Sequence, residues 1–371
     1  MTRVYIVTGE ASGDEHGARL AKALREIQPN VDIFAAGGAA LAAANVKELI
    51  PSTHFNVTGL SGLGKVLPDY IRLYFKLLRS IRTAKPDAVV FIDNPGFNLR
   101  VAKKLHSLLP GTKLVYYICP QVWAWHESRV EALKRYFTKL LVIFNFEKEY
   151  YDKKGVASAF VGHPLRDALP TPLKNGHVHS GRNIVLLPGS RTHEVRTLLP
   201  IFLEAAALIA RQEPGARFTL LRASTLKPEF YDAILKSASV PVDIRTGDDK
   251  YATLSHADFA IACSGTVTLE CLLCNLPAII TNRVSAFTAF VVRRLAKVKI
   301  LGLPNLLAGK VITPELLQEA CTPENIAQQA LSWLKNPHEL AAIQNQYARL
   351  EPAIGGPGAS HRAAKEILAL L

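Results

Sequence analysis

Short apolar runs alternate with longer amphipathic stretches almost from the first residue of this chain. Val4–Val7, Val31–Ala35, Ala88–Ile92, Leu114–Ile118, Leu140–Phe144 and Ala159–Val161 are short and uniformly apolar, as expected of strands buried on both faces. Between them, apolar residues spaced at i, i+3 and i+4 predict helices over 14–28, 66–84, 97–109, 126–136 and 147–153. A passage rich in Pro, Gly and His, Gly162–Gly181, interrupts the rhythm. It restarts with strands at Ile184–Leu187, Phe218–Leu221, Val242–Ile244, Phe259–Ala262 and Ala278–Thr281. Helices are expected at 193–212, 228–237, 266–275 and 285–297, and beyond 313 the pattern is helical only. Gly355-Gly356-Pro357-Gly358 breaks it before a last helix, Ala359–Leu371, which could cross to the first half or to a partner chain.

Two strand–helix series of similar size predict an α/β protein with two doubly wound, Rossmann-like domains facing across a cleft. The boundaries read as 1–165, a linker at 166–181, 182–354, and a terminal crossing helix at 355–371. A length of 371 residues suits two cores, and 49% hydrophobic with 20% charged residues is globular. No run approaches the about 18 apolar residues of a membrane span. The start, MTRVYIVTGEASGD, lacks the long apolar segment of a signal peptide, so a cytoplasmic protein is expected. Five scattered cysteines fit a reducing compartment, and Cys271-x-x-Cys274 lies mid-helix, where core packing explains it better than redox chemistry. The net charge of +13 attracts polyanions. With no zinc knuckle, aromatic RNA-binding signature or Arg/Gly repeat, nucleic acid is not the expected partner.

In open α/β sheets ligands bind beyond the carboxyl ends of the strands, and five segments there or nearby carry chemistry. The first, Gly9-Glu10-Ala11-Ser12-Gly13-Asp14, follows the first strand; its glycines permit a tight turn, and Ser12 or Asp14 could cap the next helix. The second is Asp93-Asn94-Pro95-Gly96-Phe97-Asn98, where Asp93 is either a partly desolvated general base or a helix cap. Third, Gly189, Ser190 and Arg191 open a helix and suit a diphosphate clamp of backbone donors and guanidinium. A companion turn, Ser264-Gly265-Thr266, feeds a helix that carries Glu270 one turn further on. Anion at the turn and ribose hydroxyls at the carboxylate would describe a nucleotide-sugar pocket, whereas the plainer reading is a capped βα turn with a solvated Glu270. Fourth, Trp123 and Trp125 in Pro120–His126 are a stacking wall or a core plug. Fifth, the basic amphipathic helix 66–84, with Arg72, Lys76 and Arg79, follows an apolar loop, Val57–Leu63, that includes Leu60 and Leu63. Together they suit an anionic lipid surface, or the helix simply packs. Arg293, Arg294, Lys297 and Lys299 repeat the theme. Asp248-Asp249 is adjacent, not spaced as Asp-x-Asp, so neither a metal nor a cofactor is expected.

With these segments in hand, the chain resembles the lipid-A-disaccharide synthase family, glycosyltransferases of the GT-B fold. The matching elements are GEASGD (Gly9–Asp14), DNPGFN (Asp93–Asn98), PQVWAW (Pro120–Trp125), GHPL (Gly162–Leu165), LLPGSR (Leu186–Arg191), SGTVTLE (Ser264–Glu270) and LPNLLAG (Leu303–Gly309). The resemblance implies Asp93 as the base and Arg191 and Glu270 as donor-binding positions. It makes Glu10, Ser12, Gly13, Asp14, Trp123 and Asn305 candidates for the cleft and acceptor. Some relatives carry a second acid where this chain has Gly96, so that position is not catalytic here. The implied reaction joins UDP-2,3-diacylglucosamine to 2,3-diacylglucosamine 1-phosphate at the inner membrane surface, giving the β-1,6 disaccharide 1-phosphate and UDP; separately, the terminal helix behind its glycine-rich break allows a homodimer through the C-terminal region. A UDP-sugar epimerase of the same fold, or a non-catalytic peripheral membrane protein, are the alternatives.

Overall fold

The computed structural model describes residues 1–9, 11–51, 63–123, 127–169, 182–223, 226–285 and 300–371. They form two units, Met1–Asp167 with Ala353–Leu371, and Ala168–Pro352.

The first unit is built on seven parallel strands: β1 Arg3–Val7, β2 Asp32–Gly37, β3 Glu48–Pro51, β4 Ala88–Ile92, β5 Lys113–Tyr117, β6 Lys139–Val142 and β7 Ser158–Phe160. Their order is β3-β2-β1-β4-β5-β6-β7, so the chain reverses direction across the sheet between β1 and β4. α1 (Ala11–Ile27) and α2 (Ala39–Ala43) follow β1 and β2. α3 (Leu63–Ala84), α4 (Pro95–Leu108), α5 (Arg129–Tyr136) and α6 (Asn145–Lys153) follow β3 to β6 in turn. Leu77 and Ile81 of α3, Val101 and Leu105 of α4 and Leu133 of α5 pack on Tyr5, Phe91, Tyr116 and Leu140 of the sheet. Covering both faces with helices is why these strands read as unbroken apolar runs; all five residues of β4 are buried.

The second unit repeats the plan with six parallel strands in the order β10-β9-β8-β11-β12-β13. They are β8 Asn183–Leu187, β9 Arg217–Leu221, β10 Val242–Arg245, β11 Phe259–Cys263, β12 Ala278–Asn282 and β13 Glu315–Leu317. Their helices are α7 (Thr192–Gln212), α8 (Pro228–Leu235), α9 (Lys250–His256), α10 (Thr266–Leu273), α11 (Leu303–Ala308), α12 (Pro323–Lys335) and α13 (Pro337–Ile354). One core lies under Val185, Ala260 and Ile280 with Leu254 and Cys271. Phe259 of β11 also meets Trp333 of α12 edge-on at 5.2 Å. The reversal here falls between β8 and β11.

The expectation of helices alone beyond 313 is overturned by β13, a three-residue edge strand too short to show a period. β3, also at an edge, was hidden by its charged first residue and closing proline. All but the first residue of the expected helix at 285–297, the four basic residues near it, the loop at 57–62 and linker residues 170–181 lie outside the described residues. α14 (Ala359–Leu368) returns to the N-terminal unit of its own chain and packs along α1. Asp167 secures it by accepting from the N–H groups of Gly358 (2.6 Å), Ala359 (3.1 Å) and Ser360 (2.9 Å) at its start. Arg362 ties it further by donating to the carbonyls of Val161, Pro357 and Gly356.

Candidate active site

In the first unit the reversal places the ends of β1 and β4 side by side, Val7 opposite Phe91. Beyond β4 the chain makes an abrupt turn. Asp93 (φ 51°) and Asn94 (φ 44°) are both left-handed, a conformation that costs a non-glycine residue about 1–3 kcal/mol and persists only where neighbours impose it. Those neighbours are present. The buried Asn98 amide donates to the carbonyls of Ile92 (3.3 Å) and Asp93 (2.5 Å), and the Tyr116 hydroxyl donates to the Asp93 carbonyl at 2.6 Å. The Asp93 side chain is half-buried at this edge. Opposite it, Gly9 leaves its space to the Asn94 side chain, with which any Cβ would collide. Gly13, one turn into α1, is buried against Thr8 and Ile92, while Ser12 is exposed. Glu10 lies outside the described residues.

Asp14 is corrected by the structure. It is buried, and its carboxylate accepts from Gly38 (2.7 Å), Ala40 (2.8 Å) and Leu41 (3.4 Å), so it caps α2 and not the helix that carries it. Its role follows from the sheet, because β2 brings the start of α2 beside α1. The loop after β5 begins with another strained residue, Ile118 (φ 59°). Trp123 is half-buried there, edge-on to Phe146 at 4.9 Å, with its indole N–H on Glu147 at 3.2 Å. Trp125 lies outside the described residues. Sequence reasoning passed over Glu147; the available signal was an acid at the third position of a helix opening just after a strand.

In the second unit the loops after β8 and β11 emerge together, Leu187 opposite Ala262. Gly189 (φ 106°) makes the first turn possible, since Glu194 fills the space a side chain would need. Glu194 also accepts from the N–H groups of Ser190 (3.0 Å) and Arg191 (3.1 Å). The clamp expected of backbone donors at Ser190 is therefore already taken up by a carboxylate. What this turn offers an anion is the Arg191 guanidinium, half exposed and 3.4 Å from Glu194. The turn after β11 differs. Ser264 is drawn into the sheet through Thr281, and among the described residues no side chain caps the α10 start at Gly265 and Thr266. Gly265 and Thr266 are exposed there, at the positive end of the helix, and the charge of Arg191 acts on Cys263 at the foot of the same turn. Burial with Glu194 nearby, opposed by Arg191, pushes the Cys263 thiol up to about 12, so that sulfur stays protonated between the two loops.

Glu270 is buried, not solvated, and forms an ion pair with Lys250, while the Tyr251 hydroxyl lies 3.5 Å from the same oxygen. Both partners come from α9, which sequence periodicity did not reveal. Asn305 is a second correction. Fully buried, it donates to the Thr313 carbonyl (2.9 Å) and Glu315 (2.7 Å) and accepts from Ile312 (2.8 Å) and Thr313 (3.0 Å), so it joins α11 to β13. Cys271 is buried and Cys274 half-buried, with both thiols pushed up by burial, which makes them core residues as expected.

Away from the strand ends, α3 has an unusual outer face. Leu73, Leu77 and Ile81 are buried, yet Phe75 is 64% and Ile71 46% exposed, among exposed Arg72, Lys76, Arg79 and Arg82. Leu60 lies outside the described residues, and of Leu63 only its place at the start of α3 is described. No described helix is long and apolar enough to cross a membrane.

Two doubly wound units, each with its chemistry-bearing loops at a reversal of strand order, define the GT-B class of fold. UDP-GlcNAc 2-epimerase from Neisseria meningitidis, solved with UDP-GlcNAc bound, superposes with a TM-score of 0.66 at 12% identity, over 99% of this chain and 100% of that one. Spinosyn rhamnosyltransferase complexed with thymidine diphosphate gives 0.62 at 14% identity, over the whole of both chains. Within this class the chain belongs to the lipid-A-disaccharide synthase family. The family model for lipid-A-disaccharide synthetase matches residues 4–367. The lipid-A-disaccharide synthase of Trichlorobacter lovleyi is 36% identical over 376 residues, covering 100% of this chain and 97% of its own.

Proposed function

We propose that this chain is an inverting hexosyltransferase that joins UDP-2,3-diacylglucosamine to 2,3-diacylglucosamine 1-phosphate. The observation that carries the reading is the chain-long family match, with Asp93 at one strand reversal and Arg191, the α10 start and Glu270 at the other. Asp93 takes the proton of the acceptor 6-hydroxyl as that oxygen attacks the anomeric carbon. The bond to UDP breaks in the same step, which inverts the centre. Charge developing on the departing diphosphate meets Arg191 and the uncapped N–H groups of α10, donors already oriented before the reaction. Glu270, held by Lys250, accepts from the ribose hydroxyls. No step requires a metal.

The outer face of α3 supports a peripheral hold on anionic membrane, where acylated substrates reside. Phe75 and Ile71 enter the headgroup region, and each nearby Arg or Lys contributes about 1 kcal/mol at an anionic surface. An epimerase of soluble UDP-sugars would have no use for that face.

The test is acceptor-dependent release of UDP. Purified protein given the donor lipid in mixed micelles should release UDP only when the acceptor lipid is added. Release that ignores the acceptor, or recovery of an epimerised UDP-sugar, overturns the proposal.

A further inference from the structure

Glu147 has more to do than begin a helix. It stands in the first turn of α6 and accepts from the N–H groups of Ile143 and Phe144, both at 3.2 Å, as a helix-capping acid does. An exposed carboxylate would serve that purpose equally well, yet Glu147 is 1% exposed. Its other oxygen receives the Trp123 indole N–H, from a loop 24 residues earlier in the chain. Burial pushes the carboxyl up to about 7 against the opposing pull of the indole and the two backbone donors.

The place of that hydrogen bond gives it meaning. β5 pairs with β4 up to Ile92 and Tyr117, so the loop carrying Trp123 leaves the sheet one strand from Asp93. The same strand supplies Tyr116, which holds the Asp93 carbonyl. Phe146, next to Glu147, supports the indole from its edge.

We propose that Glu147 is a positioning residue, which fixes the Trp123 ring as a rigid wall beside Asp93 against which the acceptor lies. This rests on the reading that the first unit binds the acceptor lipid and Asp93 is its base. The ring itself touches substrate; Glu147 acts through the indole N–H and sets the ring's tilt.

Two substitutions test it in the full chain. Trp123→Phe keeps an aromatic wall but removes the N–H, and Glu147→Gln keeps the size but loses the carboxylate. Each should weaken acceptor binding, measured calorimetrically without turnover, by about fivefold or more, the worth of one hydrogen bond. In the steady state the acceptor KM should rise with it, while UDP affinity stays unchanged. The double variant should be no worse than the poorer single one, because both act through one bond. Unchanged acceptor affinity in Trp123→Phe overturns the inference, and it does so even if Glu147→Gln fails to fold. A fall in melting temperature with both affinities intact makes Glu147 a helix cap only, which also overturns it. Failure of the wild type to transfer sugar contradicts the proposed reaction instead, and the binding comparison still stands as a separate test.

Discussion

At Asp93 the backbone is as informative as the carboxylate, because two successive left-handed residues hold the turn that presents it. Asp93→Asn removes the base but keeps the shape, and should lower kcat by about 10² to 10⁴ with an unchanged melting temperature. Asn98→Ala removes one of the two donors that hold the Asp93 carbonyl without touching substrate, so it should lower kcat while UDP affinity, measured by calorimetry, stays the same. Asn305→Ala should destabilise by roughly 2–4 kcal/mol in urea unfolding, since it strands a buried N–H and carbonyl of Thr313 and the part-buried N–H of Ile312. Asp93, Arg191 and Glu270 stood out as candidates because each lies beyond a strand whose apolar run is plain in the sequence. Asp14 and Asn305 stood out for the same reason, although the structure gives both backbone partners: polar residues in such loops look alike whether they face a ligand or a backbone. What distinguishes them is the partner each finds in the fold, the start of α2 for Asp14 and the chain leading into β13 for Asn305. Lys250 and Glu147 went unnoticed for want of the same information.

Strands buried on both faces carry a continuous apolar signal, so β1, β4, β8 and β11 stood out, and with them the loops that matter. Short edge strands such as β3 and β13 do not, because they are only three or four residues long and begin with a charged one, and β13 is only partly buried. Helix ends were similarly hidden. That Glu194 would take the N–H groups of Ser190 and Arg191 follows from its position at the third residue of α7, but the anion-site reading obscured it. α3 was legible as amphipathic and basic, yet only coordinates show its second apolar stripe, Ile71 and Phe75, left outside the core. If that stripe meets membrane, replacing Arg72, Lys76 and Arg79 with Glu should reduce flotation with anionic vesicles and activity on lipid substrates, and leave UDP affinity unchanged. Phe75→Ser should weaken flotation even at high salt, where screening has already removed most of the charge contribution. Normal vesicle binding in both variants would make the face an ordinary helix surface.

Across the whole molecule, buried ionisable groups couple stability to pH. His16 is pushed down to about 4 by burial and by Arg19, and His163 to about 3 by burial and by His16, from an ordinary value of 6.5. Below 6.5 the unfolded chain therefore binds protons that the folded one refuses, and stability is lost as pH falls. Glu147 works the other way: raised from 4.5 to about 7, it binds a proton in the folded state first, so its contribution weakens as pH rises through that range. Between about pH 4.5 and 5.5 the two histidines outweigh the one carboxyl by about one proton, and these three groups together should make stability rise by roughly 1.4 kcal/mol per pH unit, less steeply above that range. Glu147→Gln removes the opposing group and should steepen the slope; urea unfolding at a series of pH values reads both. The division into two units was legible from the restart of the strand rhythm, whereas the return of α14 to the first unit rests on Asp167, whose partners lie more than 190 residues away. The central claim is transfer of one acylated sugar to another with inversion, and the product itself tests it most directly. Mass spectrometry and proton NMR of the lipid formed from donor and acceptor should show a 1,6-linked disaccharide 1-phosphate with a β anomeric coupling, equimolar with UDP. An α linkage, or UDP released with no disaccharide, would contradict the account.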